Sequence, residues 1–312
     1  MVRIGKITAA VCAAVMMAGA AGLPCIGGLA DGSAIKASAA SLNATGSCGA
    51  AAVWEYTSDG VLTIKGTGSM YDFSPYTGGK ENLMREFRSS VKTIIIEDGI
   101  TTIGAYAFQE FENVTSVRLP KTLFSIHDAA FIACTSLKKV EIPYGTRRID
   151  DLAFATCTSL ESVTIPSTLE GVNEYAFGSC TSLRYITLPP TLRVIATHAF
   201  GYDFPIGYSS TLGSPIAGFQ IMCAPGSCGE AYAKASNFAI RPFIYGDTNC
   251  DGSLNSEDLA QLQKYAAGWN VWMEPSVADV AVDGRINGED IALLQKYLAG
   301  WEVQLGKKGG TS

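Results

Sequence analysis

Five phenylalanines, Phe108, Phe131, Phe154, Phe177 and Phe200, stand 23 residues apart. The same step relates Ile103, Ile126, Ile149, Val172 and Ile195. It also relates Pro120, Pro143, Pro166 and Pro189, then Leu137, Leu160 and Leu183, then Cys134, Cys157 and Cys180. Apolar residues held in phase over such a period leave little choice of architecture. A unit this short cannot bury its own apolar face, so successive units must stack as coils and cover one another.

Within a unit, the order of residue types sets the path of the chain. Units begin near Ile94, Val117, Val140, Val163 and Ile186. Each opens with a short alternating run. In Val163-Thr164-Ile165-Pro166, Val163 and Ile165 point inward and Thr164 outward. Proline then ends the strand, having no N–H to give to the ladder. The Ala-Phe phrase predicts a bend that drops the ring into the core, and Cys-Thr-Ser-Leu turns the chain toward the next strand. On these residues the stretch 46–240 resembles the BspA-type leucine-rich repeat family, with Val61 to Gly68 as its lead-in. The resemblance implies a β-rich solenoid. The fifth unit leaves the pattern after Gly201, with a Gly-, Ser- and Tyr-rich insertion over 202–218. A last strand is expected near Phe219-Gln220-Ile221. A short helix from about Gly229 to Ser236 is expected to cover the open end, because terminal repeats need a polar cover.

Beyond residue 39 the cysteines number seven: Cys48, Cys134, Cys157, Cys180, Cys223, Cys228 and Cys250. An odd count leaves at least one unpaired. The in-register ladder has two readings. Neighbouring coils would hold these cysteines about 5 Å apart, within disulfide reach; more commonly such a ladder is a column of small buried thiols. Cys223 and Cys228 are the best local pair. His127 and His198 lie in the bend before Ala-Phe, at different repeat positions, and the repeat places no Ser, Cys or acid to complete a triad with them. They read as surface or loop residues. The outward strand positions are Ile95, Arg118, Glu141, Thr164 and Thr187, flanked by Lys139 and Tyr185. This mixed row suits a protein or a polysaccharide better than a single charged ligand.

The last fifth of the chain has its own duplication, at a spacing of 32 residues. The first copy carries Asp247, Asn249, Asp251, Gly252, Ser253, Asn255 and Asp258. The second carries Asp279, Ala281, Asp283, Gly284, Arg285, Asn287 and Asp290. A helix follows each, through Gln-Lys-Tyr to Ala-Gly-Trp. Oxygen-bearing side chains at loop positions 1, 3, 5, 9 and 12, a main-chain carbonyl at position 7 and glycine at position 6 meet the needs of calcium, which takes six to eight oxygens. Residues 246–312 hold ten carboxylates against five Lys and Arg, a balance of −5 within a whole-chain net charge of −6. Such crowding points to a cation, and it argues against nucleic acid, which needs a basic stripe.

Ordinary EF-hands put a helix on both sides of the loop and Glu at position 12. Here Asp stands at position 12 in both copies, and one helix follows each loop. Residues 243–305 therefore resemble a type I dockerin, a small all-α domain. The resemblance implies docking onto a cohesin domain of a scaffold protein, as in cellulosomes. It assigns the first ion to Asp247, Asn249, Asp251, Ser253, Asn255 and Asp258. The second falls to Asp279, Asp283, Arg285 (main chain only), Asn287 and Asp290. Ala281 departs from the pattern, so the second site is expected to be weaker. The resemblance also places partner recognition at Ser256, Glu257 and Lys264 in copy one and at Gly288, Glu289 and Lys296 in copy two. The Ser256/Gly288 difference puts in doubt the two-way docking that symmetric copies permit. Phe243 or Tyr245 is a candidate to stack on Trp301 and clasp the ends.

The N-terminus reads as a secretory signal over 1–39: Arg3 and Lys6, an Ala-rich apolar run from Ile7, and the small-x-small site Ala37-Ser38-Ala39, with Ala18-Gly19-Ala20 as an alternative. Pro24 interrupts the run. No later segment supplies the ~18 apolar residues that span a bilayer. Cys25 is a poor lipidation site, because Gly22 sits where Leu is wanted. The expectation is an exported, soluble, non-catalytic interaction protein, with 306–312 a disordered tail. Two other classes stand beside it, a polysaccharide-degrading glycosidase component and a surface adhesin. A glycosidase needs carboxylates paired across a cleft. Glu97, Asp98, Glu110, Glu112, Asp150, Asp151, Glu170 and Glu174 instead fall at variable repeat positions that read as solvated turns.

Overall fold

The structure, a computed structural model, describes residues 41–74, 82–204, 213–269, 271 and 273–306. The stretch 1–39, read above as a secretory signal, the middle of the 202–218 insertion and the residues beyond 306 lie outside the described residues.

An antiparallel meander, Leu42–Ser47, Gly49–Thr57 and Val61–Met70, opens the fold. Its last strand starts the solenoid by pairing in parallel with both Thr93–Ile96 and Ile100–Ile103. Each coil then contributes two short strands where the sequence suggested one. The first series includes Ser116–Arg118, Lys139–Glu141 and Ser162–Thr164. The second runs continuously through Ile103, Ile126, Ile149, Val172 and Ile195, all in parallel register. The isoleucine step of 23 residues is thus a strand ladder in its own right.

The phenylalanines form a column. All five rings are fully buried, and consecutive centroids lie 5.0, 5.1, 5.1 and 5.0 Å apart with the rings nearly parallel. The bend that aims each ring needs left-handed backbone without glycine. Tyr106, Ala129, Leu152, Tyr175 and His198, each two residues before a phenylalanine, have φ between 52° and 59°. That conformation costs about 1–2 kcal/mol per residue. Hydrogen bonds between coils offset it: Ala129 N–H donates to the Asp151 carbonyl at 2.8 Å, and Phe131 N–H to the Ala153 carbonyl at 2.7 Å.

The cysteine ladder is a column of free thiols. Cys134, Cys157 and Cys180 are buried, and each donates to the carbonyl of a core phenylalanine (Phe108, Phe131 and Phe154) at 3.3 Å. Cys223 and Cys228 are free as well. Beyond the insertion, Gln220–Cys223 pairs with Tyr185–Leu188, and helix α1 (Cys228–Ala235) closes the end. Tyr232 on α1 finishes the aromatic column: its hydroxyl takes the N–H of Phe200 at 3.0 Å and donates to the carbonyl of Phe200 at 2.7 Å.

Some of the acids read as solvated turns are engaged otherwise. Glu110 pairs with Arg85 and Glu170 with Arg147. Asp150 is buried beside Arg148, and burial raises its pKa. His127 and His198 sit half-buried at the bends; His127 pairs with Asp72 at 2.8 Å, and His198 stacks on Tyr175.

Candidate metal centre

From Phe243 to Gly306 the described residues form three helices, α2 (Ser256–Ala266), α3 (Pro275–Ala278) and α4 (Gly288–Leu298). Leu262, Met273, Ala278, Val280 and Leu294 make their shared core. Asn255 and Asn287 cap α2 and α4, and Asp258 and Asp290 return the bond to complete two capping boxes. This reciprocal cap explains why Asn stands at loop position 9 and Asp at position 12 in both copies.

The two loops carry the same hydrogen-bond pattern. In the first, Asp247 accepts from Asp251 N–H at 3.1 Å and from Gly252 N–H at 2.9 Å. In the second, Asp279 accepts from Asp283 N–H at 3.0 Å and from Gly284 N–H at 2.8 Å. Asp258 receives the N–H groups of Asn249 and Asn255 at 3.3 and 2.9 Å, and Asp290 those of Ala281 and Asn287 at 3.1 and 2.9 Å. Gly252 and Gly284 hold φ of 88° and 81°, which suits only glycine at the sharp turn. The loops differ at position 3. Asn249 Oδ1 accepts from Asp251 N–H at 2.9 Å, while Ala281 offers no side-chain oxygen.

These residues suit a hard cation. Burial raises the pKa of Asp247, Asp279 and Asp290, and neighbouring carboxylates add to it: Asp258 and Asp251 on the first, Asp290 and Asp283 on the second, Asp283 on the third. A bound cation would relieve that repulsion. Among the described residues no three His, Cys, Asp or Glu side chains converge as a stand-alone metal cluster. Each loop also offers the amide oxygen of Asn255 or Asn287 and main-chain oxygens, which belong to the mixture calcium takes.

Ser256, Glu257, Lys264, Gly288, Glu289 and Lys296 are all exposed. So are Tyr265, Trp269, Tyr297 and Trp301, at 41, 64, 44 and 63%. These aromatics read in the sequence only as helix ends; their recurrence at the same step in both copies was the available signal. Trp301 does not clasp the module. It lies free of Phe243 and Tyr245, with the Lys296 ammonium 6.0 Å from its ring centroid. The clasp is made by Tyr245 against Gly306, whose N–H donates to Val280 at 2.7 Å. Trp301 follows the last turn of α4 with its ring in solvent.

The module is seated on the solenoid's strand face. Ser276 Oγ donates to the Ile165 carbonyl at 3.1 Å, and Thr187 Oγ1 to Glu274 at 3.2 Å. Tyr144 O–H donates to the Asp283 carbonyl at 3.0 Å, and Ser167 Oγ to Asp279 at 3.3 Å. Thr187, expected to face solvent, is therefore buried under Met222 and Glu274. Between face and module lies a cavity of about 860 Å³, lined by Arg118, Glu141, Thr164 and Tyr185 on one side and Tyr265 and Trp269 on the other.

Two family profiles match the chain: "BspA type Leucine rich repeat region", in six copies over 86–205, and "Dockerin type I domain" over 245–299. No curated protein matches. Among solved structures, a leucine-rich repeat protein from Eubacterium ventriosum is 19% identical, with 49% of this chain and 68% of that one covered and a TM-score of 0.31. The T. pallidum leucine-rich repeat protein is 20% identical, with 46% and 78% covered and a TM-score of 0.33. The pneumococcal vaccine antigen PcpA is 16% identical, with 52% and 49% covered and a TM-score of 0.34. None of the three superposes on the chain as a whole. The profiles fall on the stacked coils and on the paired loops, and so the chain carries a BspA-type leucine-rich repeat region followed by a type I dockerin domain, both from families without catalytic function.

Proposed function

We propose that this is an exported adaptor. Residues 243–305 bind two calcium ions and dock onto a cohesin of a scaffold protein, while the solenoid over 46–240 holds a protein or polysaccharide ligand in a polysaccharide-degrading assembly. The observation that carries the reading is the pair of loops with one hydrogen-bond pattern, each leading into a helix whose recognition residues stay in solvent. The first ion belongs to Asp247, Asn249, Asp251, Ser253, Asn255 and Asp258, and the second to Asp279, Asp283, the Arg285 carbonyl, Asn287 and Asp290. Ser256, Glu257 and Lys264, with Gly288, Glu289 and Lys296, meet the cohesin. The solenoid's ligand contacts the cavity, where aromatic rings alternate with hydroxyls and charges of both signs.

The test is capture of the full chain on immobilised cohesin domains, with calcium and then with chelator. Metal-dependent domains of this kind fold on their ion, so chelator should abolish capture. Capture that survives chelation refutes the calcium-dependent docking. The adhesin alternative shares the solenoid's role and differs in its anchor. For the glycosidase alternative, Glu110, Glu170 and Asp150 are paired with arginines, and assay of the purified protein on a polysaccharide panel separates it from the adaptor.

A further inference from the structure

The two loops share one internal pattern but not one setting. Gly252 has open space where a side chain would stand. At Gly284 the same space is filled by the ring of Tyr144, which a Cβ there would overlap. The Tyr144 hydroxyl reaches past this glycine to the Asp283 carbonyl at 3.0 Å, and Ser167 Oγ reaches Asp279 Oδ2 at 3.3 Å. The carboxylates of the first loop are bonded within their own module.

Tyr144 and Ser167 are 23 residues apart and follow Pro143 and Pro166. They occupy one repeat position on adjacent coils, so the spacing between them is set by the solenoid's own ladder. The loop they touch is the one that lacks an oxygen at position 3, Ala281.

We propose that Tyr144 and Ser167 are positioning residues of the second calcium site, and that the solenoid thereby makes good the ligand missing at Ala281. This rests on the calcium reading given above. The reasoning is one of preorganisation. Carboxylates crowded into one loop repel one another, and holding them together for an ion costs binding free energy. Ser167 orients the position-1 carboxylate through the oxygen that Gly284 N–H also holds. Tyr144 fixes the main chain at position 5 and covers the glycine turn. Outer partners of this kind alter metal affinity by about 10–100-fold. The solenoid and the second ion are then linked, and each strengthens the other's hold by the same factor.

The experiment is a calorimetric calcium titration of the full chain as wild type, Tyr144→Phe, Ser167→Ala and the double variant. Both residues lie on the solenoid surface, and far-UV melting in calcium checks that each variant folds. The weaker of the two dissociation constants should rise about tenfold or more in the double variant, while the tighter one stays within about twofold. Hydrogen exchange at 166–169 should also slow on calcium addition in the wild type and not in the double variant. Unchanged constants, or an equal loss at both sites, overturn the proposal. Absence of any calcium binding in the wild type overturns the calcium reading itself, and the proposal with it.

Discussion

Replacing Phe154 with alanine tests whether the aromatic column carries the solenoid. The ring is wholly buried and lies between Phe131 and Phe177, 5.1 Å from each. Fully buried Phe→Ala changes cost about 3–5 kcal/mol, combining lost transfer energy with an unfilled cavity. Two lost ring contacts place this site toward the upper end, because each stacked pair adds about 0.5–1.5 kcal/mol beyond area. Nothing nearby is free to fill the gap, since backbone bonds to the coils on both sides hold Phe154 and its neighbours. For a domain of this size, 4 kcal/mol corresponds to a fall in Tm of about 8–16 °C. Phe124 is the internal control: it is 57% exposed, and its removal should cost no more than about 0.5 kcal/mol. Far-UV melting of both variants in calcium gives the comparison. If Phe154→Ala melts within 2–3 °C of Phe124→Ala, about what 1 kcal/mol produces, the column is not what holds the coils together.

Other outcomes follow from the site. Ala281→Asn should tighten the weaker calcium constant about tenfold, or 1.4 kcal/mol, because the main chain at 281 already bonds Asp290 as Asn249 bonds Asp258; calorimetry showing no change would refute the missing-ligand account. Asp247, Asp279, Asp290 and Glu274 have pKa values raised first by burial, so their protonated forms are favoured on folding. That stability is present below the unfolded carboxylate range of about 4 and is lost as pH rises through the raised folded values. Calcium-free protein should therefore melt higher as pH falls from 7 toward 4, while calcium-saturated protein should melt lower as protons displace the ion; parallel trends in the two states would count against this. Cys134, Cys157 and Cys180 are buried, and burial raises the thiols of Cys134 and Cys180. A maleimide should spare all three in the folded protein and modify them on unfolding, with Cys228 the first to react in the native state.

Much of the fold was legible because the repeat states the same instruction several times. Each phenylalanine, isoleucine, proline and cysteine at the 23-residue step found one structural place: core column, strand ladder, strand end and thiol ladder. The paired loops were legible for the same reason. What the repeat did not announce was the left-handed bend at Ala129 and Leu152, since these residues carry no local preference for it and adopt it only because bonds to the next coil repay the strain.

By itself, the sequence determined the stacking of coils, the two acidic loops and the asymmetry at Ala281. These are local or periodic properties, readable wherever spacing alone decides which side chains share a face. Only the tertiary structure decided where the module sits. It buried Thr187 beneath Glu274, turned Trp301 to solvent in favour of Tyr245 on Gly306, and laid Tyr144 and Ser167 against the second loop. Those contacts join residues far apart in the chain, up to 139 positions for Tyr144 with Asp283. No periodicity relates the two segments, so their meeting depends on how two finished surfaces fit together.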